Sequence, residues 1–224
     1  MPLHAELTRE IREGPSGPKV GAFFDLDRTL LAGFSGVAFL RERVASGRVS
    51  PRELADTLLG SLSFVLGRTG FSGLLGATTA AYRGLAESVL KEAGQEVFEK
   101  HLARQIYPEA RALVRAHRER GHTLAIVSSA TPYQIEPVAR ELGIAHVLCT
   151  RLEVKDGVLT GGLVRPTCWG GGKRTHAEEF AARHNVDLSE SWFYTDSYDD
   201  LPLLEAVGRP RPLNPDTRLR GLAK

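Results

Sequence analysis

The 224-residue chain has few cysteines, little net charge and no long apolar run. Its two cysteines, Cys149 and Cys168, form no CxxC pair and lie near no clustered histidines. This argues against a zinc site or a disulfide framework and predicts a reducing, cytoplasmic environment. A net charge of +2 without a basic block gives no support for binding to nucleic acid.

Segments that would enter or cross a membrane are also missing. Residues 1–19 contain no apolar stretch of the kind found in a secretory signal. The least polar stretch, LLGSLSFVLG at 58–67, stops at Arg68 and is too short to span a bilayer. The seven histidines form neither HxH nor HExxH, so none is assigned to a metal.

The order of the predicted elements indicates two structural units. Residues 1–19 form a polar leader that ends in GPSGP, and KVGAFFDL follows as a buried strand. Residues 33–105 show helical periods and no clear strand, whereas strands and helices alternate from residue 106 onward. We therefore expect an α/β fold. A three-layer, Rossmann-like core with a parallel sheet (20–32 and 106–224) would carry an all-helical cap (33–105) inserted after the first strand.

The stretch AFFDLDRTLL places two acids at the end of the first predicted strand. Asp25 and Asp27 stand two positions apart, so both can reach the crevice beyond the strand. Like charges so close are costly unless they share a proton or a cation, and oxygen ligands suit Mg²⁺. The alternative is a structural turn or helix cap that includes Thr29.

Three later segments place polar groups at equivalent positions. LAIVSSAT ends a strand with two hydroxyls, WGGGKR puts a lysine at a helix start, and FYTDSYDDLP ends a strand with three acids nearby. Taken singly, they could be a serine turn, a solvent-facing lysine and a helix cap. The residues concerned are Ser128, Ser129, Lys173, Asp196, Asp199 and Asp200.

In this order the four segments resemble the motifs of the haloacid dehalogenase superfamily. The similarity extends from about residue 20 to about residue 217 and is strongest to the phosphoserine-phosphatase-like subfamily IB, which has a helical cap. TRLEVKDGVLTGG resembles the β-hairpin of that branch. Other stretches resemble the phosphatase-like domain that is fused to actinobacterial glycerophospholipid acyltransferases. The resemblance implies a Mg²⁺-dependent phosphomonoester hydrolase.

The resemblance also implies a role for each motif residue. Asp25 would be the nucleophile that forms an aspartyl phosphate, and Asp27 the general acid and then base, held in place by Thr29. Mg²⁺ would bind the carboxylates of Asp25 and Asp196 and the main-chain carbonyl of Asp27. Asp200 would support the site from behind. The substrate phosphate would contact Asp27, Ser128, Ser129, Lys173 and Asp199.

The substrate is less narrowly predicted than the chemistry. Phosphoserine phosphatases of this branch carry an acid that binds the substrate amino group, where this chain has Phe34. An apolar set in the cap could instead be its own core or a pocket for a small or lipid-like phosphomonoester; this set is Phe34, Phe39, Leu62, Phe64, Val65, Leu66 and Phe71. A phosphoserine phosphatase proper, a phosphotransferase and a catalytically silent regulatory domain of lipid metabolism remain alternatives.

Overall fold

The computed structural model describes residues 3–47, 55, 59 and 71–222. Five parallel strands form one sheet in the order β3-β2-β1-β6-β7, and β4 and β5 form a separate antiparallel hairpin. The strands are β1 (Val20–Phe24), β2 (Thr123–Ser128), β3 (His146–Cys149), β4 (Leu152–Lys155), β5 (Val158–Leu163), β6 (Asp187–Thr195) and β7 (Arg209–Pro212). The parallel sheet confirms the predicted Rossmann-like fold class.

Helices cover both faces of this sheet. They are α1 (Leu3–Glu13), α2 (Ser35–Ala45), α3 (Phe71–Ala80), α4 (Glu87–Val97), α5 (Pro108–Glu119), α6 (Pro132–Leu142), α7 (Gly171–His184), α8 (Leu201–Leu204) and α9 (Thr217–Leu222). A π-helical turn (Phe98–Leu102) and two 3₁₀ turns (Ala103–Gln105 and Tyr198–Asp200) complete the described elements. Among the described residues, no helix is long and apolar enough to cross a membrane.

The central strand β1 has the apolar sequence VGAFF, and all five of its residues are buried. Successive side chains on a strand point to opposite faces, so Phe23 and Phe24 enter different cores. Phe24 packs among residues of α1, α5 and α6, while Phe23 packs with Phe180 and with apolar residues of α7 and α8. Burial on both faces explains why this strand is continuously apolar rather than alternating.

The cap segment lies over the carboxyl edge of the sheet and is joined by the hairpin. Helix α2 contacts α4 and α6, and α3 packs against β5. Backbone hydrogen bonds connect residues 84–87 to the hairpin, among them Gly84 N–H to the Leu159 carbonyl at 2.8 Å. The hairpin falls in the range predicted for the core (106–224), and these contacts show that it also packs against the cap segment.

Two elements differ from the sequence-based expectation. Within the predicted polar leader (1–19), α1 is an amphipathic helix whose Leu7 and Ile11 are buried against the core, so this segment is part of the folded unit. The stretch RPRP, for which no strand was predicted, forms β7. Its prolines are tolerated because β7 is an edge strand with a partner on one side only.

Candidate active site

Three parallel strands end at the same edge of the sheet and bring the predicted residues together. Phe24 of β1 is in register with both Ile126 of β2 and Tyr194 of β6, and Asp25 N–H donates to the Tyr194 carbonyl at 2.8 Å. As a result, Asp25, Ser128 and Asp196 lie at or just after the ends of neighbouring strands and line one cavity. Ligands of open α/β sheets bind at this edge.

A buried lysine links two of the acids. Lys173 Nζ lies 2.6 Å from Asp25 Oδ1 and 2.7 Å from Asp200 Oδ2, and the three side chains are almost fully buried. The Thr195 hydroxyl donates to the same Asp200 oxygen. Asp200 therefore orients the ammonium group while Lys173 fixes one oxygen of Asp25. Because these side chains are shielded from water, each charge needs an oppositely charged partner.

Glycines allow Lys173 to reach this position. It is the third residue of α7, which follows Trp169 and Gly170. Gly170 has a positive φ of 54°, and a Cβ on Gly172 would lie 2.0 Å from the Thr167 carbonyl oxygen. Because glycine has no Cβ, the backbone at the start of α7 can lie close to that of Thr167. This close packing places Lys173 at the strand ends.

Asp27 is held by the first residue of α2. Ser35 N–H donates to Asp27 Oδ1 at 2.8 Å, and the Ser35 hydroxyl donates to Oδ2 at 3.2 Å. A helix N-terminus favours a carboxylate at this point. The predicted holder, Thr29, does not fill that role, since its buried Oγ1 has no hydrogen-bond partner among the described residues. The prediction did not include Ser35 at the start of α2, which is close enough to bond the Asp27 carboxylate.

Asp196 is buried at the end of β6 and faces Arg28. The Arg28 Nε lies 3.3 Å from Asp196 Oδ2. Asp216 fixes the loop after β6: its carboxylate accepts bonds from Tyr198 N–H and Leu219 N–H, and its own N–H donates to the Asp196 carbonyl. The Asp196 side chain is thus presented to the cavity from a constrained backbone.

Burial dominates the electrostatics of these acids. Desolvation raises the pKa of Asp25 to about 7, against the opposing effect of Lys173, and raises the pKa of Asp196 to about 6, against that of Arg28. Burial also raises the pKa of Asp27, although the bonds from Ser35 oppose it. Burial alone would lower the pKa of Lys173, but the neighbouring carboxylates raise it above its usual range. The cluster therefore favours an added cation or a shared proton.

The cavity in front of these residues has a volume of about 610 Å³ and two different walls. The core wall carries six acids and two cations: Asp25, Asp27, Asp196, Asp199, Asp200, Asp216, Arg28 and Lys173. The cap wall is formed by Phe34, Ser35, Gly36, Val37, Phe39, Leu40, Leu75, Thr78, Thr79, Tyr82 and Leu90. None of these described cap residues is charged.

The remaining predicted residues also line this cavity. Ser128 is buried, and its Oγ accepts a bond from Ala130 N–H at 3.2 Å, while Ser129 lies in the turn that precedes α6. Asp199 is nearer the solvent, with Arg218 at 3.6 Å. The structure thus gathers the predicted residues around one space, with Thr29 behind it and the side chain of Asp200 beneath Lys173.

Comparison with protein-family models matches residues 22–205 to the haloacid dehalogenase-like hydrolases. The chain belongs to this family. It is 32% identical over 229 aligned residues to Phosphoserine phosphatase SerB1 of Mycobacterium tuberculosis, across all of this chain and 74% of that protein. It is 30% identical to Histidinol-phosphatase of Neisseria meningitidis, across 91% of this chain and 94% of that one. The chain is accordingly an enzyme of the phosphatase type.

A solved structure has a similar fold over nearly the whole chain. A Bordetella pertussis protein of unknown function superposes with a TM-score of 0.83 at 27% identity, over 92% of this chain and 95% of that one. The expected resemblance to domains fused to acyltransferases stays a prediction.

Sequence reasoning missed three residues of the site: Ser35, Arg28 and Asp216. Ser35 had a detectable signal, because a serine at the start of a predicted helix is a common partner for an anion. Arg28 and Asp216 had none of comparable strength, since their roles depend on how two loops fold back on the strand ends.

Proposed function

We propose that this chain hydrolyses phosphomonoesters through an aspartyl phosphate on Asp25. The observation that carries the proposal is the buried Asp25–Lys173–Asp200 arrangement, with Lys173 on Asp25 Oδ1 at 2.6 Å. Lys173 favours the ionised form of Asp25 and fixes its orientation, which leaves the other carboxylate oxygen to attack phosphorus. A catalytic constellation needs such a fixed nucleophile with a neighbouring acid.

In the first step, Asp25 attacks phosphorus while the bond from phosphorus to the leaving oxygen breaks. Asp27 donates its proton to that oxygen, so the alcohol leaves neutral. The raised pKa of Asp27 suits this role, because burial favours the protonated acid. Ser35 orients the carboxyl group through two hydrogen bonds.

In the second step, water attacks phosphorus and the bond between phosphorus and Asp25 breaks. The Asp27 carboxylate accepts the proton from water, which restores both acids and releases inorganic phosphate. Lys173 and the Ser128 hydroxyl would neutralise and position the phosphoryl oxygens, with N–H groups of the turn at Ser129 beside them. Such preorganised groups supply most of the acceleration in phosphoryl transfer.

Mg²⁺ fits the donor set at the strand ends. The carboxylates of Asp25 and Asp196 and the main-chain carbonyl of Asp27 would hold it, since hard oxygen ligands suit this ion. Among the described residues, no three His, Cys, Asp or Glu side chains lie close enough together to hold a metal ion by themselves. When bound, the ion would neutralise negative charge on the phosphate and the surrounding acids. The excess of acids over cations on the core wall supports this assignment.

The leaving group is proposed to be uncharged and apolar, as in a lipid-like phosphomonoester. An amino acid headgroup needs a counter-charge, and the described part of the cap wall offers none. Phe34 and Phe39 lie on this wall, while Leu62, Phe64, Val65 and Leu66 fall outside the described residues, as does the side chain of Phe71. Phosphoserine is therefore the weaker candidate, although one relative bears the name phosphoserine phosphatase.

A panel of phosphomonoesters with Mg²⁺ tests the proposal. It would include phosphoserine, histidinol phosphate, glycerol 3-phosphate, lysophosphatidate, sugar phosphates and nucleotides, beside an Asp25→Asn control. We expect phosphate release that the control lacks, with the highest kcat/KM for an apolar ester. Release without an added alcohol would count against a phosphotransferase. Failure of the whole panel would favour a catalytically silent domain.

A further inference from the structure

We propose that Arg28 is an internal counter-ion of the metal-free enzyme, which Mg²⁺ must displace from Asp196. The inference rests on the proposed function, because it assumes that Asp196 helps to hold the metal. It concerns a side chain that neither the motif pattern nor the comparisons assign to any role. The first relevant feature is the backbone conformation of the turn after β1.

Arg28 has a left-handed backbone with a φ of 61°, which is unfavourable for any residue with a Cβ. The conformation is fixed on both sides: its N–H donates to the Gly33 carbonyl at 3.3 Å, and its carbonyl accepts from Asn214 Nδ2 at 3.1 Å. Glycine or asparagine would suit this position better. An arginine held in such a backbone suggests a task for its side chain.

That side chain provides a positive charge beside a buried acid. Arg28 Nε lies 3.3 Å from Asp196 Oδ2, and the arginine side chain is 40% exposed while that of the acid is 9% exposed. The guanidinium group cannot serve as a metal ligand, because it has no lone pair to donate. While it stays on Asp196, it occupies one oxygen of the carboxylate and repels an approaching divalent cation.

The two cations on the described core wall differ in how firmly they are held. Lys173 is buried between two carboxylates, Asp25 and Asp200, and cannot move without uncovering both. Arg28 has one such partner at the site and an open route to solvent. When a metal ion arrives, Arg28 is therefore the cation that can leave.

If Mg²⁺ must displace Arg28, removal of the arginine charge should strengthen Mg²⁺ binding. Arg28→Asn removes the charge and tolerates the left-handed backbone, so it should bind Mg²⁺ about two- to fivefold more tightly by calorimetry, the range expected for losing a half-exposed ion pair. Arg28→Gly should show the same gain in Mg²⁺ affinity. Because glycine adopts the left-handed backbone without strain, agreement between the two variants would argue against a folding defect as the cause. Arg28→Lys, which retains the charge, should remain near wild type.

A matched control separates contact from long-range charge. Arg218→Met also removes one positive charge near the cavity, but Arg218 contacts Asp199 and Tyr198 rather than Asp196. Its Mg²⁺ affinity should stay at the wild-type value or change by less than Arg28→Asn does.

A second measurement uses no catalysis and no metal titration. In a chelator, Arg28→Asn lacks the contact with Asp196, and the gap between its unfolding temperature and that of the wild type includes this loss. Saturating Mg²⁺ should raise the unfolding temperature of Arg28→Asn by more than that of the wild type, because in the wild type the contact must be broken for the metal to bind. A gap that Mg²⁺ leaves unchanged would argue against displacement.

Weaker Mg²⁺ binding by Arg28→Asn would overturn the inference, because it would mean that Arg28 orients Asp196 for the metal. Equal binding by wild type, Arg28→Asn and Arg28→Gly would also overturn it. If the wild type itself binds no Mg²⁺ while Asp25 still becomes phosphorylated, the metal site fails and the nucleophile stands. If Mg²⁺ binds but no ester is cleaved, the proposed activity fails independently.

Discussion

The two walls of the cavity differ in chemistry and in the way the chain builds them. The core wall consists of charged groups fixed at strand ends and at the start of α7, with an ion pair of 2.6 Å at its centre. The cap wall consists of uncharged side chains on helices α2, α3 and α4 and the adjoining turn. Under the proposed function, the core wall performs the reaction and the cap wall selects the alcohol. The first three predictions change one wall and leave the other intact, and the fourth concerns a histidine pair away from both.

The largest effect is expected at the nucleophile of the core wall. Asp25→Asn should lower kcat by roughly 10⁴-fold or more, because an amide cannot attack phosphorus effectively. Phosphate release under saturating substrate and Mg²⁺ measures it. Asp156→Asn, in the exposed hairpin turn, is the matched control and should keep wild-type activity. Comparable activity in both variants would remove Asp25 from the mechanism.

The next effect concerns the buried lysine of the same wall. Lys173→Met leaves Asp25 and Asp200 without their shared cation, so the free energy of unfolding should fall by about 3–5 kcal/mol near pH 8. The loss should shrink at pH 5, where Asp25 can take up a proton because burial raises its pKa to about 7. Urea unfolding at both pH values measures it, and Lys155→Met on the exposed hairpin is the control. A loss that does not depend on pH would contradict the electrostatic explanation.

A smaller effect is expected when a charge is placed on the cap wall. Phe34→Glu should lower kcat/KM for an apolar ester and raise it for phosphoserine, changing their ratio by about tenfold, since an apolar contact is exchanged for a partner of the ammonium group. Phe34→Gln has a similar shape without the charge and should reproduce only the loss. An unchanged ratio in both variants would mean that Phe34 does not contact the leaving group.

The smallest effect lies beneath the sheet, away from both walls. His117 Nδ1 is 2.7 Å from His122 Nδ1, and His117 Nε2 is 2.9 Å from the Tyr194 hydroxyl. His122 Nε2 lies 2.9 Å from the Pro15 carbonyl, an arrangement that neutral rings satisfy. Burial lowers the pKa of both histidines. The neighbouring His122 also lowers the pKa of His117, and the charges of Arg120 and Arg209 lower that of His122.

Because the folded pKa lies below the unfolded value, the unfolded chain binds more protons as the pH falls. Stability from this pair should therefore be complete above about pH 6.5 and decline below it. His117→Gln should unfold with a weaker decline between pH 7 and pH 5, as followed by thermal denaturation. His176→Gln, on the exposed face of α7, should keep the wild-type slope. Equal slopes in all three proteins would contradict this assignment.

Much of the core wall was predictable from the sequence, and less of the cap wall. Asp25, Ser128 and Asp196 lie at or just after the ends of apolar strands. Because parallel strands end at a common edge, the convergence of these residues follows from topology. The bond from Ser35 to Asp27 and the contact of Arg28 with Asp196 depend on loop geometry, which periodicity does not encode. Strand β7 was not predicted because its sequence contains two prolines. Helix α1 was not predicted because most of residues 1–19 are polar, although one face of the helix is apolar.

The most direct test of this account is to trap the phosphorylated enzyme. The protein would be mixed with Mg²⁺ and its best ester, quenched in acid within one turnover, and digested for mass spectrometry. The account predicts one phosphoryl group on the peptide that contains Asp25, absent from Asp25→Asn and lost on mild alkaline treatment, as an acyl phosphate is. Turnover with no phosphoryl group on this peptide, or with the group on another residue, would contradict the proposed mechanism.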